Sequence, residues 1–140
     1  MAATKNANYH DEQNKQNILK LRSVLDTLPG FCKMFFRGIE EYTSTRTRLA
    51  YAYDIRLFFE FLHDTNSVCN KMEIKDYPLS LLDNLTRMDI EEYLEYLKLY
   101  ERDGKTFTNT ERGIARKLAS LKTFYNYYFK KELIVTNPAA

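Results

Sequence analysis

The sequence predicts an all-α fold: a small bundle of about four main helices with an additional helix at the N-terminus. Apolar residues recur every three or four positions along several segments, which is the spacing of one helix face. The chain has only four glycines and three prolines, and most of them lie between those segments. No segment shows convincing strand alternation. With 140 residues, 44% of them hydrophobic, the chain is long enough to bury one core.

The first two predicted helices are separated by Pro29-Gly30. The first covers about residues 11–28, and its apolar residues share one face: Ile18, Leu21, Leu25 and Leu28. The second is short, about 31–41, and its apolar residues have the same spacing: Phe31, Met34, Phe35 and Ile39. Because Pro-Gly ends a helix, these two helices should be distinct.

The longest predicted helix covers about residues 45–64. One apolar stripe runs along it: Tyr51, Ile55, Phe58, Phe59 and Leu62. Further apolar residues lie elsewhere around the same helix: Leu49, Tyr53, Leu57 and Phe61. A helix that is apolar on several sides is usually packed by more than one neighbour. We therefore expect this helix at the centre of the bundle.

A long connection, about 65–85, leads to the next predicted helix. Thr86 with Asp89 resembles a capping box, with Asp in place of the usual Glu or Gln. The helix that follows has one apolar face: Ile90, Tyr93, Leu94 and Leu97. We interpret "ERDGKTFTN" as a loop around Gly104, and Pro138 stops any helix beyond the last one.

The last long helix, 110–129, has two different faces. Its apolar face should pack on the bundle: Ile114, Leu118, Leu121, Tyr125 and Tyr128. The opposite face combines arginines with small residues: Arg112, Arg116, Ser120 and Thr123, with Ala119 at its edge. Lys117 and Lys122 flank the apolar stripe. A slim cationic face of this kind suits a DNA major groove, although an ordinary solvated face explains it as well.

The start of the long central helix, "TSTRTR", offers a second candidate contact with DNA. It places Arg46, Thr47 and Arg48 near a helix N-terminus, where backbone N–H groups and hydroxyls can bind phosphate. In the alternative reading, one Thr is only the N-cap and the arginines are solvated. The candidate DNA-binding residues are Arg46, Thr47, Arg48, Arg112, Arg116, Lys117, Ser120, Lys122 and Thr123.

The charge distribution agrees with a polyanionic partner. Residues 71–104 have nine acidic and five basic side chains, a net charge of −4, and residues 105–135 have a net charge of +5. A basic C-terminal third is expected where one surface meets nucleic acid. It is equally compatible with a charge match between helices of the same chain.

Other kinds of chemistry find little support in the sequence. Cys32 and Cys69 make neither a disulfide framework nor a metal site, and His10 and His63 lack ligand spacing, so we predict no metal and no cofactor. The apolar runs are too short for a membrane span, and the polar N-terminus lacks a secretory signal, so a reduced, cytoplasmic setting without membrane contact is expected.

Three segments resemble the tyrosine recombinases, the phage-integrase family. "TRLAYAYDIRLFFEFL" (47–62) is similar to the first core-binding helix, and "LTRMDIEEYLEYL" (85–97) to the next. "TERGIARKLASLKTFYNYYFKKELIVTNPA" (110–139) resembles the last helix and its Asn-Pro exit. The resemblance covers about 31–140, which would be the core-binding domain, and leaves 1–30 as an arm or extra helix.

The resemblance implies a SAM-like helical domain that forms half of a clamp around double-stranded DNA at the core recombination site. It also implies contacts with other recombinase subunits in a synaptic complex, for which the helix at 11–28 is the best candidate. The family's catalytic domain should follow Asn137-Pro138 and is absent from this chain, and none of the eleven tyrosines is assigned as nucleophile. We therefore predict a domain that binds DNA without cutting it. The alternative is a helical protein–protein interaction module, with Phe35 or Tyr127 as an anchor.

Overall fold

The computed structural model describes residues 2–140, with side chains from residue 8 onward, and the all-α expectation is confirmed. Six α-helices make up most of the described chain: α1 (Ala2–Leu25), α2 (Cys32–Gly38), α3 (Thr45–Thr65), α4 (Leu81–Asn84), α5 (Arg87–Tyr96) and α6 (Glu111–Lys130). Short 3-10 turns cover Glu40–Tyr42, Cys69–Lys71 and Ile74–Asp76. Two strands, β1 (Leu99–Arg102) and β2 (Lys105–Thr108), complete the fold. In the described part of the chain, no helix is both long enough and apolar enough to cross a membrane.

Helix α3 lies at the centre of the bundle, as the sequence predicts, and packs against both α1 and α6. Its inward residues are fully buried: Ala52, Ile55, Phe58, Phe59 and Leu62. The side chain of Ser44 caps the helix, because its Oγ accepts a hydrogen bond of 3.1 Å from the backbone N–H of Thr47. This cap fixes where the helix starts and hence which side chains stand at its first turn.

Helix α1 is longer than the predicted span of 11–28 and ends at Leu25, although Leu28 is still buried in the turn that follows. A polar contact joins it to the start of α3. Thr45 donates to the side-chain oxygen of Asn14 (2.5 Å) and accepts from the amide of the buried Asn17 (3.4 Å). Both hydrogen bonds would break if α1 slid by one turn, so they fix its register against α3.

The predicted helix at 31–41 is divided, because α2 ends at Gly38 and a 3-10 turn follows. Phe35 is completely buried, with its ring edge-on to those of Phe124 and Tyr127 at 5.3 and 5.5 Å. The expectation that Phe35 could anchor a partner is therefore wrong. Its truncation would leave a cavity in the core rather than test a surface.

A β-hairpin replaces the predicted loop at 101–109, and here the sequence interpretation is wrong. Strands β1 and β2 pair antiparallel, with Tyr100 opposite Phe107. Asp103 and Gly104 form the two-residue turn with φ of 53° and 75°, the left-handed backbone that favours Asp-Gly in tight hairpins. The rings of Tyr96, Tyr100 and Phe107 stack in series, 4.9 and 5.2 Å apart, and hold the hairpin against the end of α5.

The predicted connection at 65–85 is anchored by apolar residues and contains α4. Leu82 and Leu85 are buried, and Tyr125 donates a hydrogen bond of 3.0 Å to the carbonyl oxygen of Leu82. The capping box at the start of α5 is confirmed. Asp89 accepts from the backbone N–H of Thr86 (2.7 Å), and Thr86 Oγ1 accepts from that of Asp89 (3.3 Å).

Candidate nucleic-acid interface

The two candidate DNA contacts from the sequence meet in one surface groove between the start of α3 and the middle of α6. Both helices contribute lining residues: Arg46, Thr47, Ala50, Tyr51, Arg116, Ala119, Ser120 and Thr123. Apart from Tyr51 and the two arginines, these side chains are small. The groove therefore combines cations with room for a ligand to approach the helix backbones.

Arg46 stands exposed in the first turn of α3, next to the Ser44 cap. Thr47 is also exposed, and its hydroxyl accepts a hydrogen bond of 3.0 Å from Ser44 Oγ. The start of a helix carries partial positive charge from its unpaired N–H groups. Arg46 and this helix end thus place positive charge at the same rim of the groove.

Arg48 does not belong to this interface, and the sequence-based placement beside Arg46 is wrong. Its guanidinium is buried and donates hydrogen bonds to the carbonyl oxygens of Glu40 (3.0 Å) and Thr43 (2.6 Å). Residues two apart on a helix point about 200° from each other. Arg48 therefore faces inward, where it ties the segment before α3 to the helix.

Arg116 lies in the groove, but it is paired with a carboxylate. Its Nη1 is 2.6 Å from Asp54 Oδ2, and its Nη2 is 3.1 Å from Asp54 Oδ1. The Asp54 side chain is only 7% exposed, whereas that of Arg116 is 52% exposed. Arg116 is thus half-exposed on the groove side of α6, with its charge partly offset by this carboxylate.

Ser120 and Lys117 lie farther inward than the helix wheel predicts. Ser120 is 3% exposed and donates a hydrogen bond of 2.8 Å to Asp54 Oδ2, so its outward placement is wrong. The Lys117 side chain is 14% exposed, with Nζ 4.0 Å from Asp54 Oδ1. Burial lowers the pKa of Lys117, and neighbouring Arg116 lowers it further, although Asp54 acts in the opposite direction.

The remaining predicted residues, Arg112, Lys122 and Thr123, are exposed. Arg112 is one turn before Arg116 on α6, and Thr123 lines the groove. Lys122 instead borders a different groove, next to Arg87 and Ala140. It does not line the groove between α3 and α6. Among the residues that the structure describes, Arg46, Arg112 and Lys122 form no ion pair.

Asp54 is the residue of the site that the sequence analysis missed. It is a buried acid on the central helix, between Ala52 and Ile55, which are fully buried. A buried carboxylate needs a cationic or hydrogen-bonding partner. An aspartate within an otherwise apolar stripe was therefore a readable signal that a cation on a neighbouring helix would face it. Across residues 2–140, no cluster of three or more His, Cys, Asp or Glu side chains is placed to hold a metal ion.

Comparison with known proteins agrees with this architecture. The family model for the phage integrase, N-terminal SAM-like domain, matches residues 33–132. The tyrosine recombinase XerC of Caldanaerobacter subterraneus subsp. tengcongensis is 34% identical over 102 residues, which is 68% of this chain and 27% of that protein. The tyrosine recombinase XerS of Lactococcus lactis subsp. cremoris is 31% identical over 121 residues, 83% of this chain and 33% of that protein. No solved structure matches the chain significantly.

This chain spans about a quarter to a third of the length of these relatives. The family match, in contrast, covers well over half of the chain and includes α2 to α6, the helices that form most of the bundle and the groove. The resemblance inferred from the three sequence segments is thus confirmed. The protein belongs to the tyrosine recombinase family, through its phage integrase N-terminal SAM-like domain.

Proposed function

We propose that this chain is the core-binding part of a site-specific tyrosine recombinase and that its α3–α6 groove holds double-stranded DNA at the recombination core site. The observation that carries the proposal is the convergence of Arg46 and Arg116, from two distant segments, on one groove lined by small side chains. The relatives named above are recombinases, which supports DNA as the partner.

The electrostatics of the groove support the same conclusion. Arg46 at the rim and Arg112 on α6 are exposed and form no ion pair among the described residues. Such cations displace condensed counterions from DNA, and each phosphate contact adds about 0.9 to the slope of log affinity against log salt concentration. Binding should therefore weaken steeply as salt rises.

Fluorescence anisotropy with a labelled duplex of random sequence, over a salt titration, tests the proposal. Arg46→Ala and Arg112→Ala should each lower the affinity and reduce the salt slope by about 1. Lys75→Ala is the matched control, because Lys75 is an exposed cation that does not line the groove. Its turn precedes Tyr77, which packs on Phe59 in the second half of α3. Affinity that is independent of salt, or equal losses in all three variants, would overturn the proposal.

We further propose that the complete protein recombines DNA and that the chain described here binds without cutting. Incubation of the purified chain with supercoiled plasmid should leave the plasmid intact and yield no covalent protein–DNA adduct on a denaturing gel. A relaxed plasmid or a shifted protein band would contradict this part of the proposal.

Contacts between recombinase subunits are assigned to α1 in the same proposal. Tyr9 and Leu19 are 65% and 61% exposed on this helix, and such apolar side chains suit a protein partner. Sedimentation velocity with duplex DNA should show two or more proteins per duplex, and Leu19→Glu should reduce that species while single binding persists. If Leu19→Glu leaves the amounts of both species unchanged, α1 does not contribute to contacts between subunits. Self-association without any DNA binding would favour a protein-interaction module instead.

A further inference from the structure

We propose that Arg116 reads a guanine base edge and that Asp54 is the positioning residue that makes this reading sequence-specific. This inference rests on the proposed function, because it concerns the same groove. It assigns different tasks to the two arginines that line the groove. Arg46 attracts the phosphates through its charge, whereas Arg116 recognises a base through hydrogen bonds of fixed direction.

The first step is the rigidity of the Arg116 guanidinium. Both of its terminal nitrogens are bound by the two oxygens of Asp54, at 2.6 and 3.1 Å. Asp54 is itself fixed, because it is buried on α3 and accepts a further hydrogen bond from Ser120. The long side chain of Arg116 is thus held in one orientation before any ligand binds. Binding therefore costs less side-chain conformational entropy than it would for a free arginine.

The second step is charge. The carboxylate of Asp54, at hydrogen-bond distance, offsets part of the charge that Arg116 presents to the groove. Lys117, 4.0 Å from the same carboxylate, is a second cation beside it. Phosphate binding depends on the unscreened positive charge of the side chain, whereas recognition of a base depends on the direction of its hydrogen bonds. The pairing with Asp54 therefore makes Arg116 a weak phosphate contact and a suitable base contact.

The third step is the donor edge that remains. Asp54 occupies the end of the guanidinium formed by Nη1 and Nη2, and Nε has no hydrogen-bond partner among the described residues. The edge formed by Nε and Nη2 still offers two parallel N–H donors, since arginine has five. Guanine presents O6 and N7 in the major groove at the spacing of such a pair. Ala119 and Thr123, in the same groove, are small enough to let a base edge approach.

Selection of duplexes from a random pool, followed by sequencing of the bound fraction, tests the inference. The wild-type chain should enrich sequences with one guanine position preferred about tenfold or more over other bases. Asp54→Asn keeps the shape of the side chain but places an amide N–H₂ against the guanidinium. It should lose that preference at this one position, whereas affinity for random duplex should not fall, because the carboxylate no longer offsets the charge of Arg116.

Two further variants complete the test. Arg116→Lys keeps the positive charge but removes the donor pair, and it should lose the same guanine preference even if Asp54→Asn does not fold. Arg46→Ala should lower affinity for all sequences and leave the enriched sequence unchanged. Circular dichroism melting of each variant identifies those that fold.

The outcomes separate this inference from the proposed function. If the wild type retains no duplex from the pool, the proposed function fails and the inference fails with it. If the wild type binds DNA but enriches no guanine, or if Arg116→Lys enriches the same sequence as the wild type, only the inference is overturned. Unchanged overall affinity together with an unchanged sequence preference in Arg116→Lys would identify Arg116 as a contact that acts through charge alone, and this result would overturn the inference equally.

Discussion

Gly38 lies so close to the ring of Tyr127 that a β-carbon on residue 38 would fall 2.8 Å from the ring carbon that carries the hydroxyl. The ring is held in place, because its hydroxyl donates a hydrogen bond of 3.0 Å to the carbonyl oxygen of Met34 and the ring packs nearly perpendicular to that of Phe35. This contact fixes the end of α2 against α6.

Gly38→Ala should therefore lower the free energy of unfolding by about 1–3 kcal/mol, because the methyl group forces the tyrosine ring out of its position. Urea denaturation followed by circular dichroism measures the change. Gly30→Ala is the matched control, since a β-carbon there meets no atom within 4 Å, and it should stay within about 0.5 kcal/mol of the wild type. Equal effects at both glycines would contradict the packing described.

Arg46 and Arg48, two positions apart, should have opposite phenotypes. Arg48→Ala leaves the carbonyl oxygens of Glu40 and Thr43 without their donor and should cost about 2 kcal/mol of stability. Arg46→Ala removes an exposed side chain and should change the free energy of unfolding by less than about 0.5 kcal/mol while weakening DNA binding. Thermal denaturation and anisotropy on both variants check this, and a stable Arg48→Ala chain with impaired DNA binding would refute the assignment.

The stability contributed by Asp83 should depend on pH. Partial desolvation acts to raise the pKa of Asp83, but hydrogen bonds donated by the backbone of Thr136 and Val135 and by the Thr136 hydroxyl outweigh it and hold the pKa below its ordinary value of 3.8. A lowered pKa in the folded state stabilises the protein above pH 3.8, and the stabilisation is lost as the pH falls through the lowered value. The wild type should thus unfold at higher urea than Asp83→Asn at pH 7, and the two midpoints should converge as the pH falls below 3.8. A difference that is constant with pH would show that the carboxylate charge has no part in holding the C-terminal segment.

The capping box of α5 should contribute about 1 kcal/mol to the free energy of unfolding. Thr86→Ala removes the hydroxyl that accepts from the backbone N–H of Asp89, which leaves that donor at the helix start without its partner. Thr86→Ser retains the hydroxyl and should recover most of the loss. Urea denaturation of both variants measures the difference, and equal destabilisation by Ala and Ser would mean that the methyl group, not the cap, matters.

Helices α3, α5 and α6 were predictable because each has a continuous apolar face and an N-cap that marks its start. The central place of α3 followed from apolar residues around several sides, and the capping box followed from the spacing of Thr86 and Asp89. The hairpin at 99–108 was missed because its strands have only four residues each and little burial to impose alternation. The Asp103-Gly104 pair was the usable signal, since this dipeptide suits a two-residue hairpin turn.

The candidate site was only partly predictable, for a different reason. A helix wheel assigns each residue to a face but cannot say how wide the buried face is. Helix α6 also packs against α3, so Ser120 is buried on a face that the wheel treats as open. The pairing of Arg116 with Asp54 joins positions 62 apart in sequence, and no local pattern contains that contact.

The hairpin tip provides a practical attachment point for spectroscopic labels. Both native thiols are fully buried, and burial raises the pKa of Cys32 and of Cys69, so neither should compete for a maleimide dye under native conditions. Lys105 follows the turn, is exposed and does not line the groove. A cysteine introduced there would carry a single fluorophore, from which energy transfer to a labelled duplex could report the geometry of the complex in solution.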